Sequence, residues 1–413
     1  MITGIFTREK GTRLDNAIKD SAQQLLVEVI TQALAKNYSY CLFISERGFA
    51  SEEVLYALER QGFVRPQLPE DTEKRTIYIV DMHEPLLLMH NLETTIKEPF
   101  ASSPVILDAI EKNHKKLQLA MTKLYPGNLV LSLSSGIMYH RLVERITARN
   151  DVPSEAMVPR RLGENMCVPF GKILRGKVVP NTVTKTLHTD KVYEPDLESY
   201  AIEPFPYYSP LESQIRMIKS FKRPVILVDD LVHKADRLQA LAPSLKKAGI
   251  PIKKVVVGVI SGYGRDLMQC FHLPVEGIYS MPNLRQWFVE STLYPFIGGD
   301  TVRRADMKVA GLQPSINMIL PYATPKLTGC SKEALYEFSV CCIENSRDLL
   351  QILEAEYRKM FAKNLTLSRL SEAVILPLCP DKGSCMEYDE NLAASVYLEN
   401  DLEMLGRMKD FMI

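Results

Sequence analysis

The stretch Arg223–Leu238, RPVILVDDLVHKADRL, constrains the fold of this chain more than any other. Val225, Ile226, Leu227 and Val228 form a run that is apolar on both faces. That is the pattern of a parallel strand covered by helices on either side. Asp229 and Asp230 close the run, a short polar turn follows, and Leu238, Leu241 and Leu245 then recur at helical spacing. Pro243 inside this helix predicts a kink or a restart, and Gly249 is placed to cap its end. A strand ending in acids, then a loop, then a helix N-terminus is where α/β proteins hold phosphorylated ligands, because the first N–H groups of a helix point at the anion.

The flanking sequence repeats the same alternation. A helix is predicted over 105–124, ending before Pro126-Gly127, and NLVLSL (128–133) reads as a buried strand. Ser134, Ser135 and Gly136 then turn into the helix IMYHRLVERITARN. Further strands are predicted from Met166, at 252–261 and at 275–281, with helices at 211–221, from Gly262, and at 283–291. Strands near 130, 166, 226, 256 and 278 with helices between them predict an α/β fold with a doubly wound, mainly parallel sheet. Ligands of such sheets sit at the carboxyl ends of the strands. Ser134–Gly136, Asp229–Arg237, Gly262–Arg265 and Met281–Arg285 should therefore surround one crevice, with Gly298-Gly299 bordering it by close backbone approach. The Thr- and Lys-rich residues 180–191 show no buried periodicity, and the proline-bearing residues 194–210 read as irregular.

With 413 residues the chain is long enough for two or three domains, each with its own core. Lys and Arg number 50, matching 50 Asp and Glu, so no global field recruits nucleic acid or an anionic membrane. No apolar run is long enough to cross a bilayer, and MITGIFTREKG lacks the apolar centre of a signal peptide. The eight cysteines are scattered without a zinc-type spacing, which fits reduced thiols in a cytoplasmic protein; Cys379 and Cys385 in CPDKGSC are the pair a redox or metal role would draw on. No resident metal site is expected.

The focal stretch resembles the phosphoribosyl-diphosphate (PRPP) motif of type I phosphoribosyltransferases. The resemblance implies that Asp229 and Asp230 take the ribose hydroxyls, that the loop His233, Lys234, Ala235, Asp236 and Arg237 takes the 5'-phosphate, and that Ser134, Ser135 and Gly136 face the diphosphate. It further implies Mg2+ as the companion of PRPP, and a hood between the first strand and the motif from which Lys185, Lys191 or His188 reaches the diphosphate; Lys185 is the residue assigned here. The loop departs from the family pattern. Ala235 stands where a glycine is expected, Asp236 adds a negative charge and no hydroxyl remains, so Lys234 and Arg237 must supply the charge while Asp236 is available as the cap of the next helix.

Residues 1–95 have a different character. GIF, the basic turn TREKG, a helical pattern from Ala17 to Leu34, YSYCLFIS, a capped helix at 51–63 and RTIYIVDM resemble the second half of a GNAT-superfamily acetyltransferase, a small α+β half-domain. That resemblance implies that Arg8, Lys10, Gly11 and Arg13 face the pyrophosphate of coenzyme A, with acetyl-CoA bound only if another chain or an upstream segment completes the fold. Residues 96–325 make the phosphoribosyltransferase-like domain, and 326–413 a helical C-terminal region opening on a long helix from Ser331 to Asn364. The reading is thus a protein binding PRPP or a nucleotide 5'-phosphate, with phosphoribosyl transfer as its reaction. The alternatives are a non-catalytic nucleotide sensor or scaffold, and the downstream part of a larger enzyme that includes an acetyltransferase. The expected partner is a small phosphorylated molecule, with a second copy or an upstream polypeptide as the macromolecular partner.

Overall fold

The structure, a computed structural model, describes residues 2–6, 41–46, 64–67, 75–80, 84–125, 128–159, 161–174, 176–304, 309, 311–325, 327, 329–382 and 388–412. The chain opens with strands β1 (Ile2–Phe6), β2 (Cys41–Glu46), β3 (Val64–Gln67), β4 (Arg75–Val80) and β5 (Leu86–His90). Helix α1 (Pro104–Leu124), β6 (Val130–Ser134), α2 (Ser135–Arg149), β7 (Met166–Pro169) and β8 (Val183–Thr184) follow. Next come β9 (Thr189–Tyr193), β10 (Tyr200–Pro204), α3 (Leu211–Ser220), β11 (Val225–Val232), α4 (Asp236–Lys247) and β12 (Ile252–Ser261). The order continues with α5 (Gly262–Cys270), β13 (Val275–Met281), β14 (Gln286–Val289) and the single turn α6 (Glu290–Leu293). It closes with β15 (Asp300–Val302), β16 (Gln313–Ile316), α7 (Lys332–Phe361), β17 (Leu378–Pro380) and α8 (Ala394–Met412).

The fold is α/β, with the described strands in four sheets. The sheet that carries the focal stretch is parallel throughout, in the order β13-β12-β11-β7-β8. Alternate residues of β11 serve opposite layers: Val225 and Leu227 join α3 and α4 in one core, while Ile226 and Val228 join α2 in another. Leu238, Leu241 and Leu245 of α4 are each at most 2% exposed, and burying each contributes about 2 kcal/mol before entropy is counted. Pro243 is exposed and α4 runs through it, at the cost of the bond its missing N–H would give Gln239. Gly249 follows the C-cap with φ of +70°, the left-handed conformation that ends a helix.

A second sheet has the order β1-β6-β5-β14, with β6, β5 and β14 parallel and β1 antiparallel to β6. Leu86 and Leu88 of β5 pack with α1 and α7, whereas Leu87 and Met89 face the core shared with α2 and the first sheet. The second sheet therefore lies between α1 and α7 on one side and α2 on the other. A third sheet, β10-β9-β15-β16-β17, and the antiparallel β2-β4-β3 complete the set.

Several expectations are corrected. The strand at 130–134 belongs to the second sheet, so the five expected strands do not form one sheet. Residues 286–289, expected to be helical, form β14, because Trp287 and Val289 pack toward one core and Phe288 toward the other, an alternation that a strand buried on both faces satisfies. Residues 180–191 are not a solvated hood: β8 pairs with β7, Lys185 and Leu187 donate backbone N–H groups to Cys167 and Pro169, and Thr186, Leu187, Thr189 and Asp190 are buried. Residues 200–204 form β10, hydrogen-bonded to β9, where irregular chain was expected. β5 pairs with β6 inside one sheet, and α7 packs on α1. The helices expected at 17–34 and 51–63, and Arg8, Lys10, Gly11 and Arg13, lie outside the described residues. Among the described residues no helix is long and apolar enough to cross a membrane.

Candidate functional site

The first sheet opens at the acids. β7 ends at Pro169 opposite Val228, but β11 runs on to Val232 against β12. Asp229 and Asp230 thus lie within the strand, with β12 on one side and the loop after β7 on the other. From β7 the chain continues outward to β8, and from β11 it continues the other way to β12 and β13, so the strand order reverses between β7 and β11. Loops diverge at such a reversal and leave a crevice at the carboxyl ends.

Asp229 is 5% exposed and Asp230 half-buried. Each carboxylate folds onto the chain: Asp229 Oδ1 accepts from the N–H of Asp230 at 2.9 Å, and Asp230 Oδ1 from Leu231 N–H at 3.1 Å. Gly171, in the loop after β7, presses against them. A Cβ there would overlap Asp229 Oδ1, stand 2.9 Å from its Cγ, and meet Asp230 Oδ1 at 3.3 Å. Arg237 reaches Asp229 at 3.7 Å.

Burial, joined by the neighbouring charge of Asp230, pushes the Asp229 carboxyl well above the usual carboxylate range, against the pull of Arg237. Burial would lower the Arg237 guanidinium, but Asp229, Asp230, Asp190 and Asp300 together hold it above its ordinary value. Lys191, on β9, faces Asp300 and Asp236, and burial lowers its ammonium. The crevice is therefore acid-rich, with Arg237 and Lys191 as its inner cations.

The loop at 233–237 is tightly built. His233 Nδ1 lies 2.8 Å from Ser261 Oγ, and burial with the adjacent Lys234 lowers its imidazole. Ala235 is the N-cap of α4 in the left-handed conformation, φ 55° and ψ 24°, without a side-chain cap bond. The glycine-like geometry that a phosphate loop uses is thus present under a methyl group. Asp236 is the first helical residue rather than the cap, and burial together with the nearby Asp236 carboxylate pushes the Tyr200 hydroxyl up. Lys234 is exposed.

Ser134 caps α2, its Oγ accepting from Ile137 N–H at 3.4 Å, and Gly136 is exposed with nothing but Ser134 Oγ near the place of a Cβ. Met138, in the first turn of α2, packs beside Gly258 and the Asp230 backbone, so this turn overlies the same end of the first sheet although β6 belongs to the second. Lys185 bonds through its backbone to Cys167, which pairs with Ile226, so it stands short of the acids along the sheet. His188 and Lys191, further along, lie nearer their level. Arg285 lies outside the crevice: it donates to Glu84 at 2.8 Å and its N–H to Pro85, at the amino end of β5. Gly298 and Gly299 approach Ser291 and Ser315, so their close contacts are within the protein. Cys379 is buried and free, and Cys385 lies outside the described residues.

A second polar cluster had no signature in the sequence. His90, at the end of β5, and His114, on α1, both direct Nδ1 at Oε2 of Glu290, at 2.6 and 2.7 Å. These residues are 24 and 176 positions apart in sequence, on three elements, and no local spacing could have joined them. Burial would raise the Glu290 carboxyl, but the two imidazoles hold it below its ordinary value; His90 is correspondingly raised against the effect of its own burial.

Neither the family models nor the curated proteins compared with this chain include a match.

Proposed function

We propose that the chain binds a phosphorylated ribose at the carboxyl end of β11, with PRPP and Mg2+ as the form the crevice suits best. The observation that supports this reading is Asp229-Asp230 beside Gly171 at the reversal of strand order, the place where open α/β sheets bind their ligands. The two carboxylates would accept the ribose hydroxyls. The first N–H groups of α4, with exposed Lys234, would face the 5'-phosphate, and the loop after β7, with exposed Lys172, would face the diphosphate. Mg2+ prefers oxygen donors, and the local excess of carboxylates fits it: Asp230 together with ligand oxygens would hold the ion, which neutralises diphosphate charge when bound. Transfer at the anomeric carbon then needs chiefly positioning and charge stabilisation from this chain.

A second reading, a nucleotide sensor without turnover, is favoured by Arg237, which already stands 3.7 Å from Asp229 Oδ1 and would compete with a ribose hydroxyl for it. Equilibrium binding of PRPP and of ribose 5-phosphate, with and without Mg2+, tests the site. Pyrophosphate release with a panel of nucleobases separates enzyme from sensor. Binding is expected to be Mg2+-dependent for PRPP and lost in Asp229→Asn. Circular dichroism of that variant separates loss of binding from loss of fold. No binding by a folded wild type defeats both readings.

A further inference from the structure

We propose that His90, His114 and Glu290 form a binding site for one zinc-class divalent ion (Zn2+, or Co2+ as its probe), separate from the acids of β11 and independent of the PRPP reading. The three candidate ligand atoms lie within 4.8 Å of one another. They converge from β5, α1 and the turn after β14. Two imidazole nitrogens and one carboxylate oxygen suit a borderline transition ion and disfavour Mg2+ and Ca2+, which take oxygen sets. Three protein ligands leave the fourth tetrahedral position to water or to a ligand oxygen, the composition of an open rather than a structural zinc site.

The surroundings favour this over a merely buried ion pair. His114 is anchored by its other nitrogen: in the tautomer that ligates through Nδ1, Nε2–H donates to Ser132 Oγ at 2.8 Å. Glu290 is anchored by its other oxygen, with Oε1 accepting from the Tyr294 hydroxyl at 3.1 Å, and that hydroxyl accepts from Asn345 at 2.9 Å. Each anchor is a neutral donor or acceptor that fixes orientation while leaving the inward atom for the ion, the arrangement that supports metal-ligating histidines and carboxylates. Glu290 is fully buried and His114 is 5% exposed. Among the described residues no Lys or Arg ion pair involves Glu290, so its close partners are imidazoles, which must be neutral to ligate. His90, with 11% of its side chain exposed, is the most open of the three and gives an ion its way in. The paired Asn91 amide and Ser291, bonded in both directions at 2.8 and 3.0 Å, hold the end of β5 against the turn that carries Glu290.

The test uses the full chain without a tag, stripped with chelator and titrated with Co2+ and then Zn2+. One equivalent of Co2+ should bind with visible d–d absorption, Zn2+ should displace it, and the ion should raise the melting temperature. His90→Ala changes the most exposed ligand and should keep the fold, as judged by circular dichroism. It should weaken binding by at least ~100-fold and abolish the thermal shift; Ser132→Ala, outside the ligand set, should weaken it by about 10-fold. Glu290→Gln should also abolish binding, and if it fails to fold, His90→Ala with His114→Gln decides. A folded wild type that takes up neither ion, or a His90→Ala variant that binds as tightly as wild type, overturns the proposal. Neither result touches Asp229 or Asp230, so a failure here is distinct from a failure of PRPP binding.

Discussion

Replacing Gly171 by alanine probes the contact on which the geometry of the acids depends. The added methyl would overlap the Asp229 carboxylate, which is boxed in by the Asp230 N–H and by Arg237. Asp229 is 5% exposed, so its carboxylate is packed against the protein rather than free in solvent. Overpacking of this kind costs about 1–3 kcal/mol, and breaking the carboxylate's hydrogen bond to the chain adds about 1 kcal/mol or more. The expected loss is therefore roughly 2–4 kcal/mol, read as a lowered urea midpoint at unchanged slope. Gly136→Ala is the matched control: it is exposed, in the first turn of α2, with no atom closer than 3.6 Å to the new methyl. There alanine should be neutral or stabilising by up to about 1 kcal/mol. Equal stability of the two variants would refute the packing of the loop after β7 against the acids.

Three further outcomes are expected. Ala235→Gly should stabilise the chain by about 0.5–1 kcal/mol in chemical denaturation, since it removes a side chain from a left-handed residue at φ 55° and exceeds the entropy that glycine adds to the unfolded state. Pro243→Ala, on the exposed face of α4, should stabilise by about 1–3 kcal/mol, because the Gln239 carbonyl regains a donor. Glu276 is held at about 2 although its burial acts upward, because Arg149, Lys254 and Arg145 bond its carboxylate. A depressed carboxyl contributes stability that is complete above its unfolded pKa and is lost as pH falls toward 2. With both arginines nearly half exposed, screening limits the contribution to about 1 kcal/mol. Glu276→Gln should cost that much at pH 7 and flatten the stability profile between pH 5 and 2, as followed by acid titration of the melting temperature.

The parallel sheet around β11 was legible because Val225–Val228 and Val255–Val257 carry apolar runs of the kind a strand covered on both faces shows. The helix α7 was legible through its unbroken periodicity. The assignment of β6 to another sheet was not, since a buried strand's composition does not name its neighbours. Gln286–Val289 was misread because four residues cannot distinguish helical from strand spacing. At the site, Asp229 and Asp230 announced themselves by ending an apolar run. Gly171 did not, because its role is set by Asp229 pressing from a strand 58 positions away. His90, His114 and Glu290 were silent for the same reason: each sits in an ordinary local context, and their chemistry exists only once β5, α1 and α6 meet.

The central claim, a phosphorylated ribose held by the acids of β11, is tested most directly by calorimetric titration of PRPP with Mg2+ into wild type and Asp230→Asn. Asp230 is half-buried and its carboxylate accepts from its own neighbour's N–H, a bond that an asparagine oxygen can also accept, so the variant should keep its fold. The account predicts saturable one-to-one binding by wild type and at least a tenfold weaker affinity in the variant, about 1.4 kcal/mol. Equal affinity in the two proteins, or no heat of binding in a folded wild type, would contradict it.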